Sequence, residues 1–208
     1  MTPGTVRSPR SAPTRDAILG GAAACFGRVG FAGASMDDIA AAAGVTKPTV
    51  YAHFGSKDGL FTELLQERLG GLDELPIEPA ATADDVEALL RDYAHRRVDT
   101  LLADTSLGLL RAAAAEGIRR PEWATALMGS LGTSVFETWL EATTRAGFLD
   151  VESPAEAAEL FWAQLEGALF FPVVVGMRAV PGRPERRRVI EASVRMFTTA
   201  HRSEAPPT

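Results

Sequence analysis

One cysteine, Cys25, stands in 208 residues. No disulfide can form within the chain, which fits a reducing cytoplasm. The three histidines (His53, His95, His201) lie far apart, with no Cys/His spacing of the kind that holds zinc. The sequence therefore implies no metal and no cofactor. It carries no nucleophile elbow, phosphate loop or zinc-protease motif, so no catalytic constellation is supplied and an enzyme is not expected. The longest apolar run, "ALFFPVVVG", is far short of the roughly 20 residues that span a bilayer. The N-terminal "MTPGTVRSPRSAPTR" lacks the apolar segment of a signal peptide. The expectation is a cytoplasmic protein with no membrane partner. Positive charge is also scarce. Lys and Arg number 21 against 27 Asp and Glu, a net charge of −6, which argues against a whole-surface attraction to nucleic acid.

The length allows one large domain or two small ones, and 46% hydrophobic residues with 23% charged are values of a folded globular chain. The charge is unevenly placed. Residues 1–57 hold six cations (Arg7, Arg10, Arg15, Arg28, Lys47, Lys57) and three acids (Asp16, Asp37, Asp38), a net of +3, which leaves −9 for the remainder.

Residues 1–13 are rich in Pro, Ser and Arg and are expected to be a disordered basic arm. From Thr14, apolar residues Ile18, Ala22, Cys25, Phe26 and Val29 recur at helical spacing, with Gly30 as a stop. Ser35 with Asp38 three residues on makes a capping-box-like pair for a second helix. Gly44 is its turn, and Thr46 caps a short third helix with Pro48 in the first turn. Ser56 caps a fourth. The Gly- and Pro-bearing "GGLDELPIEPAAT" marks the boundary region, and helices are expected near 83–103, 106–117, 121–147, 154–176 and 184–201. No stretch alternates convincingly at period two apart from the short "FPVVV". The chain reads as all-α.

The stretch "SMDDIAAAAGVTKPTVYAHF" (35–54) carries the chemistry. A helix-turn-helix needs a small residue where its helices touch (Ala40), Gly at the turn (Gly44) and an apolar lock (Ile39, Val45, Val50). The side chains left over, Thr46, Lys47, Pro48, Thr49, Tyr51 and His53, then face outward. Hydroxyls and Lys bond to base edges or phosphates, a Pro or Thr methyl packs on a thymine methyl, and the helix N-terminus favours phosphate. A short exposed helix of this kind suits a DNA major groove.

Residues 14–65, "TRDAILGGAAACFGRVGFAGASMDDIAAAAGVTKPTVYAHFGSKDGLFTELL", resemble the DNA-binding domain of the TetR family of bacterial transcription regulators. The Gly-Phe at the exit of helix 1, Ile-Ala in helix 2, Gly-Val at the turn, Tyr-x-His-Phe and Ser-Lys-x-x-Leu carry the resemblance. It implies that the Ser35 hydroxyl contacts phosphate and that Thr46, Lys47, Thr49, Tyr51 and His53 are recognition-helix positions. It also implies that Lys57 contacts the DNA backbone. His53 also resembles a residue that anchors the helix by stacking. Pro48 departs from the Gly or Ala of many members and leaves the base preference open. The resemblance further implies an N-terminal helix-turn-helix domain (14–57) joined to a helical ligand-binding and dimerisation domain (58–208). The dimer would form through a four-helix bundle of the helices near 154–176 and 184–201, with Leu160, Phe161, Leu165, Leu169, Val189, Val194 and Phe197 on its apolar faces. Two recognition helices would then lie about one DNA turn apart, roughly 34–36 Å.

The C-terminal half carries Trp123, Phe136, Trp139, Phe161, Trp162, Phe170 and Phe171, which are either ordinary core or the lining of a small-molecule pocket. As effector-binding candidates the sequence offers the aromatics Trp123, Phe136, Trp139 and Trp162 and the polar residues Arg111, Glu116, Thr143 and Gln164. "RPERRR" (183–188) reads as a solvated helix start, and Arg7 and Arg10 are candidates for a minor-groove arm. The expected function is a ligand-responsive repressor: a homodimer on double-stranded operator DNA, released by a small, mostly apolar effector. An activator or ligand-independent regulator of the same fold stays open, and an enzyme or carrier with a merely structural N-terminal helix set is a remote alternative.

Overall fold

The computed structural model describes residues 12–73, 75–129 and 135–203. The helices in chain order are α1 (Ala12–Gly33), α2 (Met36–Ala43), α3 (Lys47–Phe54), α4 (Lys57–Asp73), α5 (Ala83–Leu101) and α6 (Asp104–Arg119). They continue as α7 (Pro121–Gly129), α8 (Val135–Arg145), α9 (Pro154–Leu165), α10 (Phe171–Val174) and α11 (Arg183–Ala200), with a π-helical turn, Glu166–Phe170, joining α9 to α10. Among the described residues there is no strand, and one isolated bridge pairs Leu149 with Arg202. The architecture is all-α, as the periodicities predict. Of the expected basic arm, residues 1–11 lie outside the described residues, while Ala12 and Pro13 are already the first turn of α1. The single helix expected over 121–147 is described as two helices, α7 and α8, with 130–134 outside the described residues.

Local chemistry sets the element ends. Gly30 leaves helical geometry at φ 73° and ψ 175°, and one further turn runs to Gly33. Ser35 caps α2 by accepting the Asp38 N–H at 3.1 Å and donates its own hydroxyl to Asp38 Oδ2 at 2.6 Å. Gly44 closes α2 at φ 68°, a left-handed conformation that side chains with a Cβ disfavour, and its turn delivers Val45 N–H to Ala40 O at 3.0 Å. At the start of α5 the Asp85 carboxylate accepts from both the N–H and the hydroxyl of Thr82, each at 2.8 Å. Those bonds, the hydroxyl first, hold Asp85 below the usual carboxylate range.

Packing divides the chain into two compact units, and the division is not a single cut after residue 57. The first contains residues up to 68 together with 104–130; the second contains 69–103 and 131 onward. Helices α6 and α7, expected in the C-terminal domain, thus pack with the helix-turn-helix. In the first unit Ile18, Leu19, Ala22, Phe26, Ile39, Val50, Leu60, Phe61 and Leu64 are buried, joined by Leu107, Leu109 and Ala112 of α6. The free Cys25 is part of this core. Helix α6 crosses α1 at Gly27 and Gly108, where a Cβ on Gly108 would stand 2.7 Å from Gly27 O and 2.9 Å from Gly27 Cα.

The second unit is built on an aromatic cluster. Tyr93, Phe136, Phe161, Trp162 and Phe197 are joined by ring contacts at centroid distances of 5.2–6.3 Å. Pro172 has no N–H to give Ala168 O, and the chain accommodates it with the π turn, in which Phe171 N–H reaches back to Glu166 O. The stretch Pro154–Val174 is long and apolar enough to cross a membrane by length and composition, with a mean hydropathy of 1.2 over its best window. Ala157, Ala158, Phe161, Trp162, Leu165, Leu169, Phe170 and Val173 bury one side of it in the second unit.

Close helix contact at Gly108 gives a signed prediction. Gly→Ala ordinarily stabilises a helix by about 1 kcal/mol. At Gly108 the added methyl meets backbone, so Gly108→Ala lowers stability by roughly 1–3 kcal/mol. Gly20→Ala, in the same unit and with nothing within 4 Å, is neutral or stabilising. Thermal melts of the two variants check the opposite signs.

Candidate nucleic-acid interface

Residues 35–54 fold as a helix-turn-helix. Ile39, Ala40 and Val50 are buried, Phe54 closes the base of α3, and the outward residues of α3 remain accessible. Tyr51 is 44% exposed, a large amphipathic group kept in solvent with no partner ring among the described residues. Thr46 and Pro48 are exposed, and Thr49 and His53 are half-buried. The hydroxyls of Thr46 and Thr49 share a hydrogen bond at 2.8 Å, so both sit on one edge at the N-terminus of α3. His53 lies 6.1 Å from the Phe54 ring, tilted by 38°.

The two lysines differ. Lys47 Nζ pairs with Asp37 Oδ2 at 2.8 Å, and both side chains are exposed. The hydrogen bond to Asp37, then its charge, hold the ammonium above its ordinary pKa, so it is cationic throughout the physiological range. Lys57 is turned inward. Its ammonium donates to Phe31 O at 2.9 Å and Ala34 O at 3.0 Å and lies 4.4 Å from the centre of the Phe31 ring. The resemblance gave Lys57 a DNA-backbone contact; here its donors serve the exit of α1. The Ser35 hydroxyl, expected on phosphate, is engaged as the α2 cap. Asp37 was not legible as a site residue, because its pairing with Lys47 crosses the Gly44 turn and no helical spacing signals it.

Arg15, counted among the N-terminal cations, is also committed. It bonds Glu63 and Glu67 of α4 and stands 5.7 Å from the Phe54 ring. The Glu63 bond, foremost, raises its pKa further.

The effector candidates are divided between the two units. Arg111, Glu116 and Trp123 belong to the first unit; Phe136, Trp139, Thr143, Trp162 and Gln164 belong to the second. Glu116 is buried and paired with Arg119 and Arg120, and Trp123 Nε1 donates to Thr62 Oγ1 at 2.9 Å. In the second unit Phe136 contacts both Trp139 and Trp162, while Gln164 is exposed on α9. Trp139 and Thr143 line an apolar cleft of about 340 Å³ with Ile77, Pro79, Ala80 and Ala142. The Trp139 indole N–H donates to Glu78 O at 2.9 Å, and the Thr143 hydroxyl to Trp139 O at 2.7 Å.

Comparison with known proteins bears on both parts of the chain. Residues 18–64 match the profile of bacterial regulatory proteins of the tetR family, and residues 88–203 match that of the AefR-like transcriptional repressor C-terminal domain. The HTH-type transcriptional repressor SCO4008 of Streptomyces coelicolor is 38% identical over 82 residues, 39% of this chain and 40% of its own length. The chain thus spans well under half of that relative. A TetR family transcriptional regulator from Pseudomonas syringae pv. tomato is 30% identical, with a TM-score of 0.74 over 92% of this chain and 98% of that one. A structure described as the flavonoid-responsive regulator FrrA is 29% identical, with a TM-score of 0.67 over 93% and 100% of the two chains. With both profiles matched in order, and the helix-turn-helix in place beneath the first, the chain belongs to the TetR family of bacterial transcription regulators, which are DNA-binding proteins and not enzymes.

Proposed function

We propose that the protein is a ligand-responsive transcriptional repressor that binds a near-palindromic operator as a homodimer and is released by a small effector. The observation that carries this reading is the edge of α3. Thr46, Lys47, Thr49 and Tyr51 stand accessible on a helix whose other side is locked by Val50 and Phe54. A groove-reading helix needs that division of labour.

The dimer follows from surface that one chain leaves uncovered. Leu160 is 59% exposed, Phe171 62% and Met196 59%, and Ala163, Gly167 and Ala168 are exposed on the same stretch of α9 and its π turn. Large exposed apolar groups beside small ones favour close helix packing against a second copy. The sequence placed Leu160, Phe161, Leu165, Leu169, Val189, Val194 and Phe197 on this interface. Leu160 is exposed as that reading requires and Val189 is half-buried, but Phe161, Leu165, Leu169, Val194 and Phe197 are buried within a single chain, and Phe171 and Met196 join Leu160 instead.

The effector site we assign to the cleft beside Trp139 and Thr143. Its lining is apolar with a few polar groups, as small-molecule sites are, and the flavonoid-responsive relative favours a planar aromatic ligand. An effector can shift the protein off its operator only by its differential affinity for the two states.

Three measurements test this. Titration onto the DNA flanking the gene, across a salt series, gives tight and salt-sensitive binding to one segment. Tyr51→Ala weakens it by about 1–3 kcal/mol, and Lys47→Ala lowers the salt slope by about 1. Asp37→Asn frees Lys47 and tightens binding at low salt; equal binding by parent and all three variants removes α3 from the interface. In light scattering, Leu160→Asp combined with Met196→Asp converts the dimer to monomer, and a persistent dimer would place the interface elsewhere. Flavonoids quench tryptophan fluorescence of the parent and release it from DNA, whereas Thr143→Trp, which fills the cleft, abolishes the release.

A further inference from the structure

The corner between α6 and α7 carries a charge cluster built on Arg120. Arg120 is the single residue linking the two helices. Its guanidinium pairs with Glu116 at 2.6 Å and with Asp58, the second residue of α4. The Asp58 bond, foremost, raises the pKa of Arg120, so the cation is permanent. The guanidinium also lies against two rings, 5.2 Å from the centre of Phe31 and 5.3 Å from that of Trp123. Trp123 stacks on Phe61 of α4 at 5.6 Å with an interplanar angle of 11°, and its N–H reaches Thr62. Phe31 in turn carries Lys57 on its ring and on its carbonyl oxygen.

These contacts converge on two short segments. Residues 31–34 lead into α2, and residues 57–58 lead out of α3. They are the entrance and the exit of the helix-turn-helix, and Arg120 touches both. We propose that Arg120 is a positioning residue for operator binding, clamping the two ends of the helix-turn-helix from the α6–α7 corner and so fixing the pose of α3. This rests on the DNA-binding reading above, although the clamp itself exists without DNA.

The magnitudes favour positioning over stability. The Arg120 and Asp58 side chains are 37% and 54% exposed, and ion pairs at such sites contribute little to folding; the buried Glu116, Arg120's other partner, keeps its pair with Arg119 when Arg120 is replaced. Planar Arg differs from Lys here because its fork serves two carboxylates while its faces lie on rings. Arg120→Gln therefore leaves the fold intact and loosens the two segments it joins.

Hydrogen exchange on the DNA-free protein is the first test. In Arg120→Gln, exchange rises in residues 31–35 and 47–58 and stays at the parent rate in α5, α8 and α11. Unchanged exchange in the first set, or a rise across the whole chain, overturns the proposal whether or not an operator is known. On the DNA segment that the parent retains most tightly, Arg120→Gln and Asp58→Asn each lose roughly tenfold in affinity, and the double variant loses no more than either single one. Arg120→Lys recovers part of the loss. Binding to random DNA and the salt slope stay at parent values, because no phosphate contact is removed. Parent-like operator affinity in Arg120→Gln overturns the proposal. So does a loss shared equally by random DNA with a reduced salt slope, which would make Arg120 a phosphate contact. A parent that binds no DNA defeats the functional reading but leaves the exchange result to decide the clamp.

Discussion

Helices α1 and α6 meet at Gly27 and Gly108 with no side chain between them, since any Cβ on Gly108 would lie within 3 Å of the Gly27 backbone. This crossing has consequences well beyond two residues. A helix pair that approaches to backbone contact gains dispersion along its whole length, and here Leu107, Leu109 and Ala112 are drawn into the core of the first unit behind Gly108. Once α6 is held there, its C-terminal turn and α7 must follow. Glu116, Arg120 and Trp123 then arrive where the helix-turn-helix begins and ends. Two glycines thus decide that the DNA-reading unit includes a segment that follows it by a long interval in the chain.

The electrostatics of that unit differ from what its composition implies. A net +3 over residues 1–57 reads as a positive surface. Yet Arg15 is shared by two glutamates, Lys57 is spent on two carbonyls, and Lys47 is paired with Asp37. Three of the six cations are already engaged in the free protein. The exposed Lys47–Asp37 pair is the weakest of these commitments, screened by salt and worth at most about 1 kcal/mol. Phosphate can take Lys47 from Asp37, because the DNA backbone is a dense array of charge and Asp37 is a single carboxylate. Lys57 would have to leave two carbonyl acceptors at the end of α1, a larger loss because those groups are partly buried. Under the proposed function, recognition would rely on α3 side chains and helix N-termini more than on bulk attraction, in keeping with a net charge of −6.

Much of this was legible from the sequence wherever the signal is local. Ser35, Gly44 and Thr82 mark helix ends by backbone requirements that neighbouring residues reveal, and the structure has each of them at a cap. The helical periods of 83–103 and 184–201 reappear as α5 and α11 with small shifts at their ends. What was not legible depends on groups brought together across the chain. No spacing rule pairs Arg120 with Asp58 or Lys47 with Asp37. An aromatic count does not say that Trp123 joins α4 while Trp139 and Trp162 join another core. Leu160 and Phe161 are equally apolar in sequence, and only the packing of α9 shows that the first is exposed and the second buried.

The stretch from Pro154 to Val174 shows how far such packing narrows the choices. Its hydropathy alone permits a membrane span. A helix spanning a bilayer over this stretch, however, would set the Glu166 carboxylate near the middle of the hydrocarbon, where a charged residue costs about 2.5–3.5 kcal/mol. It would also strip Phe161, Trp162, Leu165 and Phe170 from the aromatic core that they complete. A helix with one apolar side already buried, a second bearing Leu160, Phe171 and small residues, and glutamates beside them needs a partner with an apolar centre and a wet rim. Lipid offers the first without the second. A second copy of the same chain, related by a two-fold axis, offers both, because the same pattern returns from the other side with its glutamates again at the edge.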